Sequence, residues 1–220
     1  RPWDVLDTGV LSLLAIVKRE DFVPAAYKAL AFVDTEVPLP CGQCMLEPKV
    51  EARLLQELAV HKHERVLEIG AGSGYMAALL AHKGQQVTTL EIEPELARLA
   101  ADNLRRAGIL NATVREADGS KGLAADAPFN AILLSGSVAE VPAALRAQLE
   151  IGGRSCAPCS SRAPASRVIR ARCCSTRWHR GCAVSTNAAA SASEPSRIHS
   201  CSQAARFFRP RACWRSRWPS

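Results

Sequence analysis

The sequence predicts an α/β domain built on a doubly wound, parallel sheet. Between Arg65 and Gly153, short apolar runs alternate with longer helical stretches, the rhythm of strand–helix–strand units. The run Asn130–Leu134 lacks a polar alternation, as expected of a strand covered on both faces. The stretch Arg65-Val66-Leu67-Glu68-Ile69-Gly70-Ala71-Gly72-Ser73-Gly74-Tyr75 reads as a strand entering a glycine-rich turn that opens a helix. Such a turn brings backbone close to a ligand and aims free N–H groups at it.

In chain order, Asp7–Val17 carries apolar residues at helical spacing. Pro24 opens a second short helix through Leu30, because proline suits a first helical turn. Pro38 and Pro40 keep the next segment extended or looped. The loop Cys41-Gly42-Gln43-Cys44-Met45-Leu46-Glu47-Pro48 delivers the chain to a helix from Pro48 to about His61. Val50, Leu54, Leu55 and Leu58 form its apolar face. Strand Val66–Ile69, the glycine turn and a helix stopped by Gly84 follow. Then come strand Gln86–Ile92, helix Pro94–Ala107, strand Ala112–Glu116, strand Asn130–Leu134 and helix Val141–Leu149. Gly152 and Gly153 should turn the chain into a fifth strand.

Composition breaks at that point. Residues 1–153 hold 15 Lys+Arg against 20 Asp+Glu, net −5, whereas 154–220 hold 13 Arg against the single acid Glu194, net +12. The chain's +7 therefore belongs to the tail, and basicity is no argument for a nucleic-acid partner of the domain. From Arg154 onward there is no Leu and no Lys, and seven of the nine cysteines lie there. A disordered basic tail, a disulfide- or zinc-rich module and out-of-frame translation of a GC-rich gene all fit; the Arg, Ala, Ser, Pro, Cys and Trp content favours the last. Such a segment buries too little apolar surface to offset its ordering entropy. The sheet is thus expected to stop after four strands, leaving Asn130–Leu134 as an exposed edge prone to aggregation. Three segments result: a helical lead-in with its loop (1–47), an α/β core (48–153) and the tail (154–220). The chain begins with Arg rather than Met, which predicts a true start upstream. No run of 18 apolar residues predicts a membrane span, and no signal-peptide pattern stands near Val10–Val17.

Ligands of a doubly wound sheet sit outside the carboxyl ends of its strands. The first strand ends in Gly70, Ala71, Gly72, Ser73 and Gly74. The second ends in Glu91, followed by Ile92, with the carboxylate placed to accept from both hydroxyls of a ribose. The third leads to Asp118 and Gly119, with Asp118 placed to accept from an adenine amino group. Glycines at alternate positions depart from the dinucleotide spacing, and Glu68 would repel a pyrophosphate; S-adenosylmethionine fits better, its methionine end oriented by that carboxylate. Taken singly, Glu91 and Asp118 are as readily helix caps or solvated groups; in register on consecutive strands beside the glycine turn, they read as a site.

The segments Val66–Tyr75, Ala117-Asp118-Gly119, Ala127–Ile132, Val141-Pro142 and Gly152-Gly153, with the lead-in Arg19–Pro24 and Gly42-Gln43 ahead of Pro48, resemble the protein-L-isoaspartate O-methyltransferase family over about 1–153. The resemblance implies a Rossmann-like class I methyltransferase fold, S-adenosyl-L-methionine as cofactor and methyl transfer to isoaspartyl carboxylates of damaged proteins. It also places Cys44, Met45 and Leu46 in the active-site loop. There the family reads Gly-x-Thr-Ile-Ser-x-Pro, so Cys44 stands at the Thr position and Leu46 at the Ser position. Leucine donates no hydrogen bond, which opens the alternatives of a different acceptor or a non-catalytic cofactor binder.

A carboxylate acceptor is ionised near neutral pH, so no general base is required and none is visible. His61, His63 and His82 read as surface residues. The pairs Cys41/Cys44 and Cys156/Cys159 have zinc-ligand spacing, but they fall on either side of the break, and no metal is expected. A cytoplasmic monomer with reduced thiols, without nucleic-acid or membrane partners, completes the expectation.

Overall fold

The computed structural model describes residues 5–136 and 141–158, and the backbone of two further strands at 168–172 and 184–186. The predicted helix near the start is α1 (Thr8–Ile16), whose cap Asp7 accepts from the N–H groups of Gly9 and Val10. Short 3-10 turns follow at Arg19–Asp21 and Ala25–Leu30. The second of these replaces the predicted helix: Pro24 stands before it, in extended conformation, rather than in its first turn. Strands β1 (Val37–Pro38) and β2 (Cys44–Met45) form a small antiparallel hairpin around the 3-10 turn Pro40–Gly42. Helix α2 (Pro48–Leu58) buries Val50, Leu54, Leu55 and Leu58 as its spacing predicts. It stops about three residues before His61, with Ala59 in the left-handed region at φ 48°.

The main sheet starts with β3 (Arg65–Ile69), then α3 (Tyr75–Lys83), β4 (Gln86–Glu91), α4 (Pro94–Arg106), β5 (Ala112–Glu116) and β6 (Phe129–Leu134). A single turn, α5 (Ala143–Arg146), stands where a longer helix was expected. Strand order is β5-β4-β3-β6 followed by β7 (Leu149–Pro158), β8 (Val168–Arg172) and β9 (Val184–Thr186). Pairing from β5 to β7 is parallel, and β8 and β9 add antiparallel. This is the predicted doubly wound architecture. Side chains alternate between two cores, Val66, Ala131 and Leu133 on one face, and Leu67, Ile69, Ile132 and Leu134 on the other, as the two-residue strand period requires.

The sheet does not stop after four strands. Strand β7 crosses the compositional break and pairs Ala131 with Arg154, Ile132 with Ser155 and Leu133 with Cys156, so β6 is an interior strand and not an edge. Cys156 packs in one core and Ala157 in the other. Sequence periodicity missed this strand because its residues are small or polar. Strand pairing, however, is made by backbone groups, which every residue except proline supplies in full. The readings of the tail as disordered or as a zinc module fall mostly on 159–220, outside the described residues or on backbone alone. Among the described residues, no helix is long and apolar enough to cross a membrane, and no cluster of His, Cys, Asp or Glu is placed to hold a metal.

Ser155 is fully buried, and among the described residues its hydroxyl has no hydrogen-bond partner. An unsatisfied buried hydroxyl costs about 1–3 kcal/mol. Ser155→Ala is therefore expected to raise stability by about 1 kcal/mol, read as a higher urea midpoint; a lower midpoint would show that the hydroxyl is bonded.

Candidate active site

A cavity of about 460 Å³ opens over the carboxyl ends of β3, β4 and β6. It sits at the switch point where the chain, having run outward through β4 and β5, returns to the other side of β3. Gly70, Ala71, Gly72 and Ser73 of the turn line it, with Glu68, Glu91, Ile92, Asp118 and Gly119. Cys44, Met45 and Leu46 line the same cavity. The structure thus brings together both ends of the predicted site, from elements far apart in sequence. Gly74 is the exception. It does not line the cavity; at φ 83° a Cβ there would stand 3.0 Å from the Ala100 carbonyl of α4, so both the turn and helix packing call for glycine. Gly119 is buried under the cavity, where any side chain would overlap Ile69.

The carboxylates do more than face a ligand. Glu91 is 6% exposed; its Oε2 accepts from the Gly72 N–H at 2.8 Å, and its Oε1 from the N–H groups of Ile92 and Glu93 at 3.0 and 3.2 Å. It clamps the glycine turn to the start of α4. A carboxylate has about four acceptor directions, so one remains toward the cavity rather than the two that a pair of ribose hydroxyls would take. Asp118 is exposed and caps the 3-10 turn Gly119–Lys121 by accepting from Ser120 N–H at 2.9 Å. That hydrogen bond, with the Ser120 hydroxyl, holds its carboxyl below the usual range. The helix-cap reading thus holds for Asp118 even though it also lies on the wall.

Glu68 is the most perturbed group of the wall. It is fully buried in β3, and burial pushes its carboxyl up to about 7, against the Ser135 hydroxyl that donates to Oε1 at 2.7 Å. The Thr89 hydroxyl also lies close enough to lower the carboxyl, yet among the described residues Oε2 makes no hydrogen bond of good geometry, and it belongs to a cavity-lining residue. Ser135 was not among the expected site residues; a Ser-Gly pair directly after the apolar strand β6, next to β3, was the signal available. Glu36, Glu51 and Glu93 also line the cavity, and their elements give no sequence hint of convergence.

Among the described residues the lining thus carries six acids and no Lys, Arg or His side chain. A cationic ligand with a nucleoside end suits it: the unpartnered Glu68 oxygen matches an ammonium or sulfonium, and the backbone of the glycine turn leaves room for the rest. A pyrophosphate would meet no cationic side chain among the described residues. Fold and site together define a Rossmann-like, S-adenosylmethionine-dependent methyltransferase.

The chain belongs to the protein-L-isoaspartate(D-aspartate) O-methyltransferase family, whose model matches residues 5–173. The match runs past Arg154, in keeping with the position of β7. A protein-L-isoaspartate O-methyltransferase of Koribacter versatilis is 42% identical over 157 residues, 71% of each chain. One from Myxococcus xanthus is 40% identical over 166 residues, 76% of this chain and 78% of the relative. Among solved structures, a protein-L-isoaspartate O-methyltransferase from Plasmodium falciparum, in complex with S-adenosyl-L-homocysteine, shares the fold. Its TM-score is 0.64 at 20% identity, over 76% of this chain and 83% of that one.

Proposed function

We propose that this chain binds S-adenosylmethionine across Gly70–Ser73, Glu68 and Glu91 and methylates isoaspartyl carboxylates of damaged proteins. The carrying observation is a single cavity lined both by the glycine turn with its carboxylates and by the Cys44–Leu46 loop, with no Lys, Arg or His among its described residues. Bound there, the cofactor supplies an electrophilic methyl group on sulfur. The protein's contribution is alignment, which can account for on the order of 7–11 kcal/mol of barrier. Glu68 and Ser135 fix the cationic end, Glu91 holds the turn, and Met45, 4% exposed, helps keep water out. Residues 48–153 act as the cofactor core, joined by the first residues after the break, and 1–47 supply the acceptor wall. We place the protein in the cytoplasm as a monomer, a setting that suits a Cys41 thiol outside any disulfide.

Leu46 supports a second reading. Its side chain on the cavity wall offers no donor to a carboxylate, so an acceptor other than isoaspartate fits the same pocket. Calorimetry with S-adenosylhomocysteine and methyl-ester formation on an isoaspartyl peptide separate the readings. Micromolar binding is expected, and Gly72→Val should abolish it because Gly72 holds φ 54°, which a β-branched residue resists. Binding without ester formation selects the second reading. Absence of binding rejects both.

A further inference from the structure

Arg19 is nearly fully buried, 2% exposed, and does not line the cavity. It touches three residues that do. Its Nη2 donates to the Leu46 carbonyl at 2.8 Å. Its Nη1 pairs with the Glu51 carboxylate of α2. Its Cζ stands 5.1 Å from the centroid of the Tyr75 ring, the first residue of α3, which Phe22 flanks at 5.4 Å. Burial lowers the guanidinium only to about 10, so it is a cation at neutral pH. Leu46, Glu51 and Tyr75 come from three elements with no backbone pairing to one another. One planar group, with donors at its edge and a π-face contact, thus ties the acceptor loop to α2 and to the helix that leaves the glycine turn.

We propose that Arg19 is a positioning residue for methyl transfer. By holding the Leu46 carbonyl it fixes the Cys44–Leu46 loop relative to the cofactor wall, and so sets the line from the acceptor oxygen to the methyl group. A role confined to stability would leave the catalytic rate of the folded protein unchanged. Positioning makes a different demand, because a displacement of about 1 Å can cost on the order of 100-fold in rate. Lysine is a fitting probe: it keeps the charge beside Glu51 but lacks the planar fork that spans Leu46 and Tyr75. The rate arm rests on the proposed activity, whereas the structural arm does not.

The test uses the full chain with Arg19→Lys, read three ways. Hydrogen exchange of the 43–47 amides should quicken by about tenfold or more while that of the Gly70–Gly74 turn stays unchanged. The Kd for S-adenosylhomocysteine should remain within about threefold. On an isoaspartyl peptide, kcat should fall about 10–100-fold, with a smaller change in KM. Unchanged protection of 43–47, or a kcat equal to wild type, overturns the proposal. If Arg19→Lys does not fold by circular dichroism, Glu51→Gln carries the test, and the same pattern at smaller amplitude is expected; its absence is equally decisive. A wild-type protein that binds cofactor without esterifying the peptide rejects the acceptor assignment, and the exchange arm then decides on Arg19 alone.

Discussion

Replacing Arg154 with Met is expected to destabilise the protein by about 3–5 kcal/mol, the range for removing one partner of a buried ion pair. Arg154 is the first residue of the Arg-rich segment, yet its side chain is 10% exposed and Glu64 beneath it 7%. Nη1 donates to Glu64 Oε1 at 2.9 Å and Nη2 to Oε2, while Nε donates to the Leu58 carbonyl at 2.8 Å and Nη2 to the Ala59 carbonyl at 3.0 Å. The substitution would leave a buried carboxylate with no cation of comparable reach and strip two carbonyls at the end of α2 of their donor. Against typical stabilities of about 5–15 kcal/mol, that loss is enough to unfold a large fraction of the molecules near body temperature. The double variant Arg154→Met with Glu64→Met should recover most of it, because an apolar pair of similar volume leaves nothing uncompensated.

The pair also fixes a pH sign. Burial alone would raise the Glu64 carboxyl, but hydrogen bonds from Arg154 and the His61 N–H bring it below its ordinary 4.5. Its contribution is therefore present at neutral pH and lost on acidification below about 4.5; the Arg154 variant should show a shallower acid limb. Urea midpoints at pH 7 and pH 4 check both statements. A loss under about 1 kcal/mol at pH 7 would mean that the guanidinium is no staple.

Glu68→Gln is expected to act in opposite directions on the empty and the ligand-bound protein. The carboxyl of Glu68 stands at about 7 in the fold against an ordinary 4.5. Between those values the folded state keeps a proton that the unfolded chain has released, so stability falls as pH rises through that window and levels off above it. At 1.36 kcal/mol per unit the effect is about 3 kcal/mol. The glutamine variant should therefore match the wild type near pH 4 and exceed it by up to about 3 kcal/mol at pH 8. Cofactor affinity should move the other way, down by about 10–100-fold, because a neutral amide gives up the charge-assisted hydrogen bond to the cationic end. Denaturation at the two pH values and calorimetry with S-adenosylhomocysteine measure the two halves. A stability difference that does not change with pH would dispose of the buried-carboxyl account; unchanged affinity would remove Glu68 from the cofactor site.

Much of this was legible in the residues alone. The alternation of strands and helices from Arg65 to Leu134, the turn Gly70–Gly74 and the acids at strand ends are local patterns, set by side-chain period and backbone freedom within a few residues. They determined the fold class, the family resemblance and which residues line the cavity at the strand ends. The tertiary structure decided what depends on distant partners. Strand β7 forms because β6 offers it a row of backbone groups, although its own side chains carry no strand signal. Helix α2 ends at Leu58 with its last carbonyls held by a guanidinium some 95 positions away. Glu91 was recognisable as a carboxylate at a strand end beside the turn, but three backbone donors spend most of its capacity on holding the turn. Gly74 looked like part of the ligand loop, and folding adds a demand the sequence did not show, clearance from Ala100. Glu51 had no sequence pattern, Arg19 was visible only as the start of the lead-in segment and Ser135 only as a Ser-Gly pair after a strand, because a side chain buried beside a site is chosen by three-dimensional neighbours and not by spacing along the chain. Thus the glycine turn was written in the sequence, while the wall that faces it was assembled only by folding.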